Sequence, residues 1–219
     1  MKRICLSICF ITFLLSCNSD DDSQNQDQNQ QEEESPGFYA LEVGNSWTYK
    51  SFQYNLTEDA YYETDIQDAV SITGKEEISG NTYFVFRTET TGNNDPENPV
   101  SNPNGIKFEY LRELEGDLVN ETNDIVFTST DYTEQIVYET SWGIVYDKLA
   151  TDLATVEVPA GTFQSYDKER YAKSPEGDLF PALDHIYYSE GIGLISDSMS
   201  FVSQDKPFIV RRLSSYLVQ

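Results

Sequence analysis

From Phe38 onward, apolar and polar positions alternate in short runs, without the spacing of helices. Tyr, Phe, Val, Ile and Thr gather in stretches of about five to ten residues broken by Gly, Asn, Asp and Pro, which is the antiparallel β signature. The clearest run is 107–114, where Phe108, Tyr110, Arg112 and Leu114 share one parity and Lys107, Glu109, Leu111 and Glu113 the other. A period of two predicts a strand with one buried and one wet face. Glu115-Gly116-Asp117 then predicts a tight turn into a partner strand over 118–122. Ser79-Gly80-Asn81 plays the same part ahead of 82–88, where Tyr83, Phe84, Val85 and Phe86 are apolar at every position, as in a central strand covered on both faces. Trp47 and Tyr49 share one parity while Phe52, Tyr54 and Leu56 share the other, so a bulge or sharp bend is predicted near Ser51.

Further strands are predicted over 65–73, 124–128, 134–139, 155–158, 162–172, 185–189, 193–202 and 209–218, and a long irregular loop over 93–105. No 3.6-residue periodicity persists beyond two turns. The expected fold class is all-β and mainly antiparallel: a curved sheet or half-barrel of about eight to eleven strands with little helix.

The first residues follow different rules. Lys2 and Arg3 precede an apolar run from Ile4 to Leu15. A bilayer-spanning helix needs roughly 20 apolar residues, so this run reads as a cleaved targeting segment. It ends in Leu14-Leu15-Ser16-Cys17, which resembles the lipobox of bacterial lipoproteins. The resemblance implies a signal peptide over 1–16 and a lipidated Cys17, carrying thioether-linked diacylglycerol and an amide-linked acyl chain such as palmitate. Each buried methylene contributes about 0.8 kcal/mol, and two or more chains make attachment effectively permanent. Cys5 and Cys9 would leave with the signal peptide, so the domain has no disulfide, zinc-thiolate site or Cys nucleophile.

Residues 18–36 hold no apolar side chain, and such a composition cannot offset the entropy lost on ordering. A disordered acidic tether reaching roughly 25 Å is expected there. Its start, Asn18-Ser19-Asp20-Asp21-Asp22, resembles the acidic export signal of surface lipoproteins and equally suits a plain solvated linker. The expected organisation is thus 1–16 signal peptide, 17–36 lipidated Cys and tether, and 37–219 one β-rich domain. Once Lys2 and Arg3 are removed, 12 basic residues face 38 acidic ones, a net charge near −26. Nucleic acid is excluded as a partner by this balance, because phosphate contact needs Lys and Arg.

Candidate chemistry is sparse. His185 is the single histidine, so no His-based metal site or two-histidine relay is expected, and Asp184 beside it would point to the opposite face of a strand. Ser46 in Gly44-Asn45-Ser46-Trp47-Thr48 lacks the second glycine of a nucleophile elbow, and Gly191-Ile192-Gly193 lacks the third glycine of a dinucleotide site. Asn93, Asp95 and Glu97 offer hard oxygen ligands for calcium without a twelve-residue binding loop, and a solvated loop explains them better, so no metal is expected. Asp197-Ser198-Met199 matches a short O-glycosylation pattern. No catalytic residue and no cofactor is implied. Tyr61-Tyr62 and Tyr187-Tyr188 place one ring in the core and one outside, where it could stack on sugar or lipid, although strand filling is the better explanation for most of the tyrosines.

Three stretches, LEVGNSWTYK (41–50), VEVPAGTFQSYDKER (156–170) and YYSEGIGLISDS (187–198), resemble landmarks of a broad group of bacterial envelope lipoproteins that has no firmly assigned function. The resemblance implies a curved antiparallel sheet or half-barrel related in shape to periplasmic lipoprotein carriers. It supplies no activity, because fold alone does not. The reading that follows is a monomeric, non-enzymatic lipoprotein of a Gram-negative outer membrane, periplasmic or surface-exposed, that meets the membrane through its lipid anchor and binds an apolar or glycan ligand. The alternatives are a surface carbohydrate hydrolase using paired carboxylates and a structural or adhesive module.

The anchor is directly testable. Labelled palmitate is expected on the wild-type protein and not on Cys17→Ser, which should leave the membrane fraction; equal labelling or unchanged fractionation of the variant would sink the lipid assignment.

Overall fold

The structure is a computed structural model that describes residues 37–95 and 101–219. Cys17, the tether and Glu97 lie outside the described residues. Of the two units into which the chain divides, Met1–Glu34 and Ser35–Gln219, only the second contains described residues.

Thirteen strands and no helix make up the regular structure of the described residues: β1 (Ser46–Asn55), β2 (Ala60–Ile78), β3 (Asn81–Thr91), β4 (Gly105–Leu114), β5 (Asp117–Val119), β6 (Ile125–Thr128), β7 (Gln135–Glu139), β8 (Ile144–Leu149), β9 (Ala154–Val158), β10 (Gly161–Lys173), β11 (Leu179–Ser189), β12 (Gly193–Met199) and β13 (Ile209–Leu217). All pairings are antiparallel, in the order β6-β5-β4-β3-β2-β1-β13-β12-β11-β10-β8-β7, with β9 paired to β10 off that path. The all-β, antiparallel, open curved sheet expected from the sequence is the fold observed. Its strand count exceeds the expected eight to eleven, in part because β8 went unread.

Local chemistry explains the hairpins. Ser79-Gly80 and Glu115-Gly116 turn with φ of 51° and 81°, and 55° and 93°. Positive φ at both central residues matches the twist of flanking strands, which is why such turns connect two-residue hairpins. The parity flip in β1 is a register shift against β2 between Lys50 and Phe52, next to Ser51 as predicted. Before it, Trp47, Tyr49 and Ser51 face inward.

One face differs from its pattern. In β4 the buried side chain is Leu111, 9% exposed, from the more polar parity set, while Phe108 is 52% exposed on the outer face. Leu111 pairs with Phe84 and Glu109 with Phe86, so the inner surface of β4 follows that of β3. Alternation located the strand; neighbouring registers decided which side meets the core.

The sheet buries its inner face by curling. Phe127 of β6, at one end of the strand order, lies 4.2 Å from the ring of Tyr188 on β11, far along it. The Lys168 ammonium of β10 donates to the Val126 carbonyl of β6 at 2.6 Å. Two apolar clusters fill the hollow, one around Trp47, Ile72, Ile195 and Leu213, the other around Leu111, Leu118, Phe127 and Leu149. The segment ahead of β1 joins them: Ala40 belongs to the first and Tyr39 to the second. Tyr39 donates its hydroxyl to the Gly116 carbonyl at 2.7 Å, the Gly191 amide donates to the Phe38 carbonyl at 3.0 Å, and the Asn45 side chain donates to the Ala40 carbonyl at 2.8 Å.

Leu213 is 0% exposed in the first cluster, whereas Leu56 is 83% exposed at the β1–β2 tip. Leu213→Ala is expected to cost about 2–5 kcal/mol in urea unfolding, and Leu56→Ala to stay within about 0.5 kcal/mol of wild type. Equal midpoints for the two would contradict this core.

Candidate functional site

Inside the curl lies a cavity of about 380 Å³. Its walls are aromatic because β1, β3 and β11 each turn a large ring inward. Trp47 and Phe86 stack with centroids 6.1 Å apart, and the Trp47 indole N–H donates to the Ile192 carbonyl at 2.7 Å. Tyr49 donates its hydroxyl to the Leu194 carbonyl at 2.9 Å. The polar tips are thereby bonded to backbone while ring faces border the hollow. Burial pushes the Tyr49 and Tyr188 hydroxyls well above the ordinary tyrosine range, so both stay neutral.

Two ion clusters border the cavity. In the first, Arg211 on β13 donates through Nε and Nη2 to the two carboxylate oxygens of Asp197 at 2.9 and 2.6 Å, and through Nη1 to Asp68 at 2.9 Å. The buried Asp68 also accepts from the Thr90 hydroxyl at 2.6 Å and the Asn102 amide at 3.0 Å. Burial alone would lower the Arg211 pKa, but the Asp197 and Asp68 charges outweigh it and raise it well above the usual value.

In the second cluster, Lys168 and Arg170 of β10 share Asp147 of β8. Arg170 donates through Nε and Nη2 at 2.7 and 2.9 Å, and the Lys168 ammonium lies 2.9 Å from the same carboxylate. The Lys168 side chain is 5% exposed and that of Arg170 is 35% exposed. Desolvation pushes the Lys168 pKa down against the pull of Asp147. For Asp147, burial pushes the carboxyl up, yet the Arg170 bonds and the Lys168 charge together hold it below the usual carboxylate range. A second hollow of about 460 Å³, between Ile125 and Thr128 on one side and Ile136 and Leu149 on the other, shares Ile125, Lys168 and Arg170 with the main cavity. It occupies the gap left where the sheet's two ends fail to pair.

The residues singled out from sequence are scattered. Asp184 and His185 part company as expected: Asp184 accepts from the Ser200 hydroxyl and amide at 2.6 and 3.1 Å, with the Ser198 hydroxyl at 3.3 Å. The exclusion of a His-containing metal set needs correction, however. His185 stands with Asp167 and Glu169, and one ligand atom from each lies within 4.8 Å of the others. A cross-strand register produces this cluster, Glu169 opposite His185 and Asp167 two residues along on the same face, which no linear motif displays. Within it the His185 Nδ1 lies 2.9 and 3.0 Å from the two Asp167 oxygens, and its ring stacks parallel to Tyr187 at 5.5 Å.

Of the calcium candidates, the Asn93 side-chain oxygen accepts from the Asp95 amide at 3.0 Å, and its amide donates to the Asn102 carbonyl at 2.8 Å, so this side chain shapes its own loop. Ser198 accepts from the His185 amide at 2.8 Å and is half-buried. Sequence reading missed Lys168, Arg170 and Asp147 entirely, because Asp167-Lys168-Glu169-Arg170 looks like a solvated charge run.

No protein-family model matches the sequence, and no curated protein is significantly similar to it. Among solved structures, the chain is similar to a candidate lipoprotein of Parabacteroides distasonis, with a TM-score of 0.48 and 11% identity over 84% of this chain and 100% of that one. It is also similar to a candidate exported protein with a YmcC-like fold from Bacteroides fragilis, with a TM-score of 0.49 and 10% identity over 83% of this chain and 99% of that one.

As the single histidine, His185 reports on its own surroundings without overlap. The Asp167 hydrogen bond raises its pKa above the ordinary 6.5, against the opposing effect of burial. Because the folded-state value is the higher one, the pair stabilises the fold fully below about pH 6.5 and the contribution fades as pH rises through the folded-state pKa. The imidazole proton signals are expected to titrate with a midpoint above 6.5 that drops in Asp167→Asn; a wild-type midpoint at or below the ordinary value would refute the pair.

Proposed function

We propose that the protein is an exported envelope lipoprotein, anchored through Cys17, whose β-domain is a non-enzymatic binding module that holds a small apolar ligand in the hollow of the curved sheet. The carrying observation is the aromatic cavity of about 380 Å³ bounded by Trp47, Phe86 and Tyr188. That size falls within the roughly 300–1,000 Å³ of small-molecule sites, which combine apolar walls with a few fixed polar groups. The open seam between the sheet's ends supplies a route for entry.

The charge arrangement favours binding over hydrolysis. Glycoside cleavage uses two carboxyls facing each other roughly 5–9 Å apart, one of them held protonated. The carboxylates that line this cavity are Asp197, clamped by Arg211, and Glu109, paired with Lys107 at 3.0 Å. Asp184, which burial pushes up, is bonded to serines and does not line the hollow. A purely structural module would have no need of a hollow core.

Location follows from the front end. The lipobox and the run Asp20-Asp21-Asp22 support a place on a Gram-negative outer membrane, with the domain meeting the bilayer only through its anchor.

A probe of the cavity tests this reading. N-phenyl-1-naphthylamine, neutral and fluorescent out of water, is expected to bind the unlipidated Cys17→Ser chain saturably with one site. Val70→Trp, which fills the hollow beside Trp47, should weaken it at least about tenfold, a loss of roughly 1.4 kcal/mol. An absence of saturable binding, or a variant indistinguishable from Cys17→Ser alone, would overturn the reading.

A further inference from the structure

The two ion clusters around the cavity are not equivalent. Arg211 faces two carboxylates, Asp68 and Asp197, and three of its N–H directions end on them. Lys168 and Arg170 face one, Asp147. Arg170 uses Nε and Nη2 on it, and Lys168 divides its ammonium between Asp147 and the Val126 carbonyl. A guanidinium carries five donors and an ammonium three. The outer edge of Arg170 and one N–H of Lys168 therefore have no protein acceptor among the described residues.

The next carboxyl along the sheet does not supply one. Asp184 lies opposite Arg170 in the β10–β11 register, but its hydrogen bonds come from Ser198 and Ser200, and burial disfavours its charge. Lys168 is almost wholly enclosed, whereas Arg170 is 35% exposed, so it is the Lys168 charge that water cannot satisfy while the Arg170 edge opens toward the seam. A buried charge is expensive unless paired, so an acceptor arriving with a ligand would relieve a cost that the empty fold carries. Both side chains border the main hollow and the seam, so they stand where the apolar chamber meets the way in.

We infer that the ligand of this cavity is a singly anionic amphiphile, its acid group held between Lys168 and Arg170 at the seam and its apolar body lying against Trp47, Phe86 and Tyr188. The inference rests on the binding reading above and adds the chemical class of the ligand. Charge-assisted bonds to a carboxylate or similar acid fix one end, and the rings accept whatever apolar shape follows. The opposite pole repels a second acid, because Asp68 and Asp197 together outnumber Arg211.

Displacement of N-phenyl-1-naphthylamine from the Cys17→Ser chain by decanoate, decanol and decylamine separates the possibilities, since the three share one tail. Decanoate is expected to displace the probe at least about tenfold more tightly than decanol, with decylamine weakest. Lys168→Gln and Arg170→Gln each leave Asp147 one cation and remove the surplus, so in each the preference for decanoate over decanol should fall to about one, whatever the variant's own affinity for the probe. Arg170 is the more exposed of the two, so its variant keeps the test intact should Lys168→Gln fail to fold, as judged by circular dichroism. Decanol equal to decanoate, or decylamine preferred, with the probe still bound, would overturn the anionic class and leave the binding reading standing. Failure of the probe to bind at all would overturn both.

Discussion

Among the described residues a single sheet has one apolar face to bury and no helix to bury it against, so it curls on itself. Every other feature of this fold follows from that constraint. Twelve strands in one antiparallel order, with β9 beside β10, curl until β6 comes against β10 and β11, and Phe127, Tyr188 and the Lys168–Val126 bond mark where that end meets the far part of the sheet. A sheet closing on its own face encloses a hollow, because side chains projecting from a concave surface converge without necessarily filling it. The ends stop short of pairing, so the enclosure keeps a seam. Hollow, seam and the charged residues between them are thus consequences of one solution to the burial problem.

Charged residues inside such a hollow are costly unless they bond to one another. Here they lie on neighbouring or nearby strands: Asp68 on β2, Arg211 on β13 and Asp197 on β12 form one chain, and Asp147 on β8 with Lys168 and Arg170 on β10 form another. Removing one partner would strand the rest, so each chain fixes register as well as charge. Arg170 opposite Asp147 and Asp197 opposite Arg211 are direct cross-strand pairs, which a slip of one residue would send to opposite faces.

Much of the fold was legible from local rules. Turn residues that tolerate positive φ marked the hairpins, and the parity break at Ser51 marked a bulge, because both depend on a few adjacent residues. What depends on partners distant in sequence was not legible. β8 escaped notice because Asp147 and Lys148 interrupt its apolar pattern, and only β10 gives Asp147 a reason to be buried. The inner face of β4 was hidden because Phe108 and Tyr110 look like core, whereas the register with β3 turns Leu111 inward. Lys168 and Arg170 read as surface charges for the same reason, and His185 found its partner in Asp167 across a hairpin instead of in Asp184 beside it.

The segment from Phe38 to Asn45 bears on how the domain would respond to mechanical load. It bonds to the β4–β5 turn through Tyr39, to the β11–β12 turn through Phe38, and to the residues after β13 through Asn45, whose side-chain oxygen accepts from the Gln219 amide at 3.0 Å. Tension transmitted along the chain from its amino-terminal side would reach these anchor points before any strand of the sheet, spreading over several distant contacts at once. A knot of this kind resists peeling one bond at a time, and once it gives way both apolar clusters lose a wall together, so yielding would be abrupt and not gradual.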